Sequence, residues 1–485
     1  MSVHQFIASA TQKSPHAVAM QYQGKSVTWN ELQRRVARRA SEMQDRGLQA
    51  GDRVALLCAN VPECMEAQFA VPWAALVLVP LNTRLSLAEH IYILQHCDCK
   101  QLYFDERNSA LVEQIQSAIP ALKCSLLAPL DHWDMAADTL QTRKEAPFLP
   151  SEGASTAAIF YTGGTTGRPK GVELSHLALM LQGLSAKDSY DFDAATVFLH
   201  SAPMFHLADY CAALGATAAM ARHSFLPEFT PDAVLDRIED EGVNAVIMVP
   251  TMIRAVLNAA KARPHVIQRL KQILYGSAPI QAPLLLQLLN EAPGVGLIQV
   301  YGQSEIGGAC TALGPRYHVL EGSDSGKIGS AGRMVPAFMA RIIGAMGEVL
   351  PNGETGEIQI SGPGMMKSYW NDPELTKRTI HNGWLHTGDL GFLDDDGFLT
   401  IAGRLKDMII SGGENVFAGE VESALMEHTA VETAAVIGVP DAKWGEAVHA
   451  VVCLKYGQSA DEAELIAFCR ERIAHYKSPR GITIR

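Results

Sequence analysis

Short apolar runs alternate with amphipathic runs along most of the chain, and this alternation restricts the fold more than any other feature. Residues 54–58, 77–80, 101–104 and 125–128 read as strands, with helices expected at 62–76 and 111–119. Thr28-x-x-Glu31 and Ser86-x-x-Glu89 are capping boxes that start further helices. In the first of these Leu32, Val36, Ala40 and Met43 fall at helical spacing, and Gly47 ends it. Such a series folds as a parallel sheet with crossover helices. A second series follows, with strands at 197–201, 245–249, 273–275 and 297–300 and helices at 207–221, 231–241, 253–262 and 283–290. The unbroken apolar run at 245–249 suits a strand buried on both faces. Two series imply two stacked α/β units.

The texture changes twice more. From Gly314 onward Gly and Pro become frequent, and short strands at 341–343, 357–360 and 398–401 indicate a small antiparallel barrel or sheet. After Gly403 comes a compact α+β unit, with strands at 409–410, 433–439 and 448–454 and helices at 419–427 and 462–474. Gly403-Arg-Leu-Lys-Asp407 is the junction. A polar stretch at 130–153 reads as a surface connection. At 485 residues the chain is too long for one core.

One stretch carries the clearest chemistry: Tyr161-Thr-Gly-Gly-Thr-Thr-Gly-Arg-Pro-Lys-Gly171. The apolar run 157–160 before it reads as a strand, and 172–184 after it as a helix. That layout presents backbone N–H groups to a phosphate. Gly163, Gly164 and Gly167 permit close approach, Thr162, Thr165 and Thr166 add hydroxyls, and Lys170 adds a point charge. The plainer reading is a glycine-rich surface loop. It is not a Walker A loop, because Lys170 follows a proline and precedes a glycine.

Tyr301-Gly-Gln-Ser-Glu305 directly follows the 297–300 strand, where ligands of open α/β sheets bind. Its ring can stack on a base, its serine can meet a phosphate and its carboxylate can hold Mg²⁺; strand-end turn residues are the alternative. His386-Thr-Gly-Asp389 places a carboxylate in a turn, fit for ribose hydroxyls or for a simple hairpin. Arg404 offers a second ribose or phosphate contact, or part of a charged linker. His206, in Pro203-Met-Phe-His206, suits either a carboxylate site or a structural role.

Composition excludes other classes. Apolar residues make up 48% and charged residues 19%, values typical of a soluble globular protein, and the net charge of −12 with no long basic run disfavours nucleic acid. The nine cysteines lack zinc spacing, Cys97 and Cys99 being the only close pair, which suits free thiols in a reducing cytosol. The N-terminus lacks a basic region followed by a long apolar one. The apolar stretch 67–81 is broken by Pro72 and Pro80 and is too short to span a bilayer. A cytoplasmic protein without a transmembrane segment is expected.

Taken in order, these motifs resemble the adenylate-forming superfamily of acyl-CoA synthetases, non-ribosomal peptide adenylation domains and beetle luciferases, most closely the acid–CoA ligases. Tyr275-Gly-Ser-Ala-Pro-Ile280, Gly356-Glu-Ile-Gln-Ile-Ser-Gly362, Gly412-Gly-Glu-Asn-Val and Glu420-Val-Glu422 belong to the same match, which covers almost the whole chain. The resemblance implies an α/β fold: an N-terminal domain of two α/β subdomains plus a small β-barrel (residues 1–402), a hinge (403–407) and a mobile α+β C-terminal domain (408–485). It implies Thr162, Gly163, Gly164, Thr165, Thr166, Gly167 and Lys170 at the β- and γ-phosphates, Ser304 at the α-phosphate and Glu305 on Mg²⁺. Tyr301, Gly302 and the Gly276, Ser277, Ala278, Pro279 backbone would frame the adenine, with Asp389 and Arg404 at the ribose. Lys406 takes the hinge position, and Gly412 and Gly413 line the CoA tunnel. The acyl pocket would be formed by Phe205, His206, Asp209, Ser277, Ile306 and Gly307, and Lys170, His206, Ser304 and Glu305 would serve catalysis.

The implied activity is that of an ATP-dependent acid–CoA ligase, using ATP, Mg²⁺ and CoA on a monocarboxylic acid, fatty or aryl. Fatty acids are preferred because Gly307-Gly308 would open a channel. Loading of a carrier protein is an alternative, and homodimer formation is left open. Gly163 and Ser304 stand where serine and threonine are usual. The lysine usual on a Gly-Lys turn beyond Tyr476-Lys477-x-Pro479 does not occur before Arg485, and Lys477 is not its equivalent. Truncation is the expected reason; a nucleotide-binding protein without turnover is the other reading.

Overall fold

The computed structural model describes residues 1–127, 144–147, 151–163, 168–412 and 414–485. The expected connection at 130–153 falls largely outside them.

The first α/β series forms a seven-stranded sheet. Its centre is parallel: Val77–Pro80 pairs with Arg53–Leu57, which pairs with Cys99–Phe104, which pairs with Lys123–Leu126. Thr156–Thr162 joins the other edge, parallel to Val77–Pro80. The second series forms a nine-stranded sheet whose parallel core runs Arg222–Phe225, Val197–His200, Ala245–Met248, Gln272–Gly276 and Gly296–Gln303. The helices His176–Ser189 and Leu207–Ala218 pack against each other, and one apolar core takes in residues of both units. Among the described residues, Met339–Ile343, Gly356–Ser361, Trp384–Leu393 and Leu399–Arg404 build an antiparallel sheet, and residues from 408 onward build another around Gly445–Leu454 with its own apolar core. This is the mixed α/β architecture expected.

Local chemistry sets many of the boundaries. In both capping boxes the glutamate accepts from the cap N–H at 2.8 Å and its own N–H returns to the cap hydroxyl, so the helices Trp29–Asp45 and Leu87–His96 begin where the sequence implied. Three expectations are corrected. Residues 172–175 are not helical: Lys170–Ser175 is a strand, antiparallel to Thr156–Thr162, and the helix starts only at His176. Val172 and Leu174 face inward and Glu173 outward, the period-two pattern of a strand, and the Ser175 hydroxyl caps the helix by accepting from Ala178 N–H. The expected helix at 207–221 stops at Ala218, and Arg222–Phe225 is a strand. Asp389 lies within the ten-residue strand Trp384–Leu393 rather than in a turn.

A buried ion cluster joins the helices Trp29–Asp45 and Pro62–Trp73. The Glu66 carboxylate, wholly inaccessible, accepts from Arg35 and Arg39 at 2.6 Å each. Burial alone would raise its pKa, but the two guanidiniums outweigh burial and hold it below the ordinary value. Its contribution is therefore present above the unfolded carboxylate range and is lost as pH falls through the lowered folded value. Glu66→Ala would strand Arg39, 2% exposed, beside a Glu42 oxygen 3.9 Å away. The expected loss is about 3–5 kcal/mol in urea denaturation; a loss under about 1 kcal/mol would contradict the assigned burial.

Candidate active site

The glycine- and threonine-rich stretch is a hairpin connection. Thr162 pairs with Lys170 and Tyr161 with Gly171 across the two antiparallel strands. The hairpin therefore springs from the carboxyl end of a strand that runs parallel to its neighbour Val77–Pro80, while the helix N-terminus sits a full strand away at His176. Gly163 is exposed, and among the described residues nothing lies within 4 Å of where a Cβ would project. Gly164, Thr165, Thr166 and Gly167 lie outside the described residues. Lys170 is half-buried, its ammonium 5.6 Å from the centre of the Tyr369 ring. The Tyr161 hydroxyl meets His96 Nδ1 at 2.7 Å, which anchors the outgoing strand.

Tyr369 connects this hairpin to the second motif. Ser368–Tyr369 is a two-residue strand paired with Val172 and Glu173 of the returning strand, and the Tyr369 hydroxyl donates to Glu305 Oε1 at 2.7 Å. Glu305 lies in the single turn Ser304–Ile306 after Gly296–Gln303. Among the described residues nothing donates to its second carboxylate oxygen. Tyr369 is buried, carries no motif and was missed from sequence; only the structure pairs it with Glu305.

The adenine and ribose candidates converge nearby. The Tyr301 hydroxyl donates to Asp389 Oδ2 at 2.7 Å, and Gln303 Nε2 reaches the same oxygen at 3.4 Å and Thr387 O at 3.1 Å. Arg404 Nε lies 3.2 Å from Asp389 Oδ1, the two residues pairing across antiparallel strands. Burial raises the Asp389 pKa, and Tyr301, Arg404 and Gln303 only partly offset it. A ladder irregularity between Tyr301 and Gly302 sits at this point. Gly302 and Gly276 allow close approach: a Cβ would fall 1.9 Å from Gly308 O and 2.3 Å from Val300 O respectively. Ser277 has φ +63, a left-handed conformation that a β-carbon disfavours, and Ser277, Ala278 and Pro279 are exposed.

The expected acyl pocket is assembled differently. His206 is the residue before the helix Leu207–Ala218, its ring 4.6 Å from that of Phe205. The residue is exposed, and desolvation of its ring, then the Arg84 charge, lowers its pKa. Asp209 is wholly buried and turned to His200 Nδ1 at 2.7 Å, which continues to His223 at 3.0 Å and Thr217 at 3.2 Å. Ile306 is likewise sealed in the core. At the glycine pair expected to open a channel, a Cβ on Gly307 would meet Gly364 O at 2.1 Å, and one on Gly308 would meet Cys211 Sγ at 3.0 Å. Gly307 lets two main chains approach, while Gly308 faces the side chains of Cys211 and Gln182.

Lys406 is exposed in the single turn Leu405–Asp407, between the strands Leu399–Arg404 and Met408–Ser411. Gly412, at φ +64, donates its N–H to Trp444 O at 2.8 Å, and a Cβ there would fall 2.7 Å from the Trp444 ring. Gly413 lies outside the described residues. Among the described residues no helix is long and apolar enough to cross a membrane, and no cluster of three His, Cys, Asp or Glu could hold a metal.

Comparison with known proteins agrees in extent with this geometry. A model of the AMP-binding enzyme family matches residues 7–370, and one of the AMP-binding enzyme C-terminal domain matches 420–485. A feruloyl-CoA synthase from an Amycolatopsis species is 39% identical over 97% of this chain and 92% of its own length. The ATP-bound structure of MatB from Rhodopseudomonas palustris superposes with a TM-score of 0.88 at 30% identity, over 100% of this chain and 95% of that one. The o-succinylbenzoate CoA synthetase of Bacillus subtilis, in complex with its acyl-adenylate, gives 0.84 at 30% identity, over 99% and 94%.

The two glycine environments make opposite forecasts. Gly276→Ala pushes a methyl into a backbone carbonyl and should cost about 1–3 kcal/mol of stability. Gly163→Ala meets no described residue and should leave the melting temperature within about a degree. Equal effects in calorimetry would contradict the placement of these backbones.

Proposed function

The chain belongs to the AMP-binding enzyme family, and on that premise we propose that it is an ATP-dependent acid–CoA ligase. An acid displaces pyrophosphate from ATP to give an acyl-adenylate, and the CoA thiol then displaces AMP. The supporting observation is the run of contacts from Lys170 over Tyr369 to Glu305, which holds a cation and a free carboxylate oxygen beside one hairpin.

The residues divide the work by charge. Lys170 and the Thr162, Gly163, Gly164, Thr165, Thr166, Gly167 bend neutralise and orient the terminal phosphates, and Ser304 contacts the α-phosphate, so catalysis of the first step is positioning and charge stabilisation. Asp389 and Arg404 hold the ribose, and Tyr301, Gly302 and the 276–279 backbone frame the base. Glu305 fits Mg²⁺, a hard cation satisfied by one or two carboxylates with phosphate oxygens and water, and the ion supplies further neutralisation of phosphate charge when bound. Neutral His206 borders the acid without repelling or trapping it. Residues 1–402 and 408–485 act as two domains about Lys406, and Gly412 and Gly413 admit the pantetheine thiol. A cytosolic location suits the nine free thiols.

We favour a compact aryl or arylalkenyl monocarboxylate over a long fatty acid. The 39% identity to a feruloyl-CoA synthase supports the same choice.

The full chain with ATP, Mg²⁺ and an acid panel of cinnamates, arylacetates and C12–C16 fatty acids should release AMP with CoA present, and fastest with the aryl acids. Acylation only of a carrier-protein thiol, or no acid-dependent AMP, would overturn the assignment. Lys170→Met and Glu305→Gln should each lower pyrophosphate exchange by about 10²-fold or more.

The raised pKa of Asp389 gives a pH signature. Its carboxylate must be charged to accept both ribose hydroxyls, so ATP affinity should fall on acidification at pH values above ordinary aspartate titration. Stability carries the opposite sign: a raised carboxyl contributes below its unfolded value and loses that contribution as pH rises through the folded one. Asp389→Asn should weaken ATP binding about 10–100-fold at pH 7.5 and flatten this acid limb; an unchanged limb would exclude Asp389 as its source.

A further inference from the structure

Resting on the ligase reading, the geometry points to Tyr369 as a positioning residue that orients Glu305 and ties it to Lys170, so that the metal carboxylate and the phosphate lysine are set as one unit. The plainer role for a buried tyrosine is packing, and Tyr369 does lie within the core shared by the two α/β units. Its polar surroundings go further. The hydroxyl donates to Glu305 Oε1 at 2.7 Å, and among the described residues nothing donates to the second Glu305 oxygen. The face of the same ring looks toward the Lys170 ammonium at 5.6 Å, a cation–π distance.

The segment around Tyr369 is tied down at both ends. Met366 N–H donates to Glu305 O at 2.9 Å, and Trp370 N–H donates to Gly171 O at 2.7 Å, next to Lys170. Between them Glu173, on the returning strand of the hairpin, accepts from Ser368 Oγ at 2.6 Å and from Lys367 Nζ at 2.9 Å. Residues 366–370 therefore span from the backbone of Glu305 to that of the phosphate hairpin. Tyr369 is the one side chain among them that reaches both charged groups. One Glu305 oxygen is fixed by a neutral donor, which leaves the other to a cation in a set direction; a carboxylate free to rotate would lose that preference.

The test is calorimetric titration of ATP into the full chain, with and without saturating Mg²⁺. Tyr369→Phe keeps the ring and removes the hydroxyl. It should bind metal-free ATP within about twofold of the parent, while the gain in affinity from Mg²⁺ falls about 10–100-fold, the worth of one hydrogen bond to a charged group. Tyr369→Leu removes the ring as well and should also weaken metal-free ATP. A Tyr369→Phe protein that retains the full Mg²⁺ gain, or that weakens equally under both conditions, overturns the proposal. A variant with the expected loss in a protein that activates no acid would overturn only the ligase reading. A parent protein whose ATP affinity ignores Mg²⁺ would overturn both.

Discussion

The antiparallel pairing of Lys170–Ser175 with Thr156–Thr162 governs the site. It sends the chain back along the edge of a parallel sheet, so the polar bend stands at that sheet's carboxyl end with Thr162 opposite Lys170. The returning strand then offers its outer edge to Ser368–Tyr369, and that two-residue addition delivers a phenol to Glu305. Main-chain hydrogen bonds, which are directional and hard to forfeit in a core, thereby fix the separation of two groups of opposite charge. A helix directly after the bend would have supplied a dipole for the phosphates. The strand supplies a rigid edge and no such dipole.

The second sheet contributes by a related route. Its strands Gln272–Gly276 and Gly296–Gln303 end beside the antiparallel sheet that carries Asp389. Glycines at 276 and 302 let main chains approach where a methyl would collide with a carbonyl. Asp389 is buried at an electrostatic cost that shows in its raised pKa, and the Tyr301 hydroxyl and Arg404 guanidinium are the groups that keep the charge tolerable. Because Arg404 is largely exposed, its ion pair is solvent-screened, and the Tyr301 hydrogen bond is the stronger restraint.

Much of this was legible in the sequence. The alternating runs, the two capping boxes and the continuous apolar strand at 245–248 each encode their structure within a few residues, and the fold class follows from them. The motif order announced the family because the motifs lie at strand ends, where sheet topology dictates what meets. Four things were not legible, for different reasons. Val172-Glu-Leu174 is too short a stretch to tell a strand from the first turn of a helix, and its partner strand decides. Asp209 falls at helical spacing from His206, but its carboxylate turns to His200, a contact nine residues distant in sequence that periodicity does not encode. Tyr369 meets Glu305 across 64 residues through a strand of two residues, below the length any pattern can register. Gly307 suggests space in the sequence, although a glycine is equally the mark of a close backbone approach, which is what it provides against Gly364.

A crystal structure of the full chain with Mg²⁺ and a non-hydrolysable ATP analogue examines the central claim most directly. The terminal phosphates should lie within hydrogen-bond reach of Lys170, the ribose on Asp389, and the metal on the Glu305 oxygen that does not accept from Tyr369. A nucleotide seated away from Lys170, or a metal held without Glu305, would contradict it.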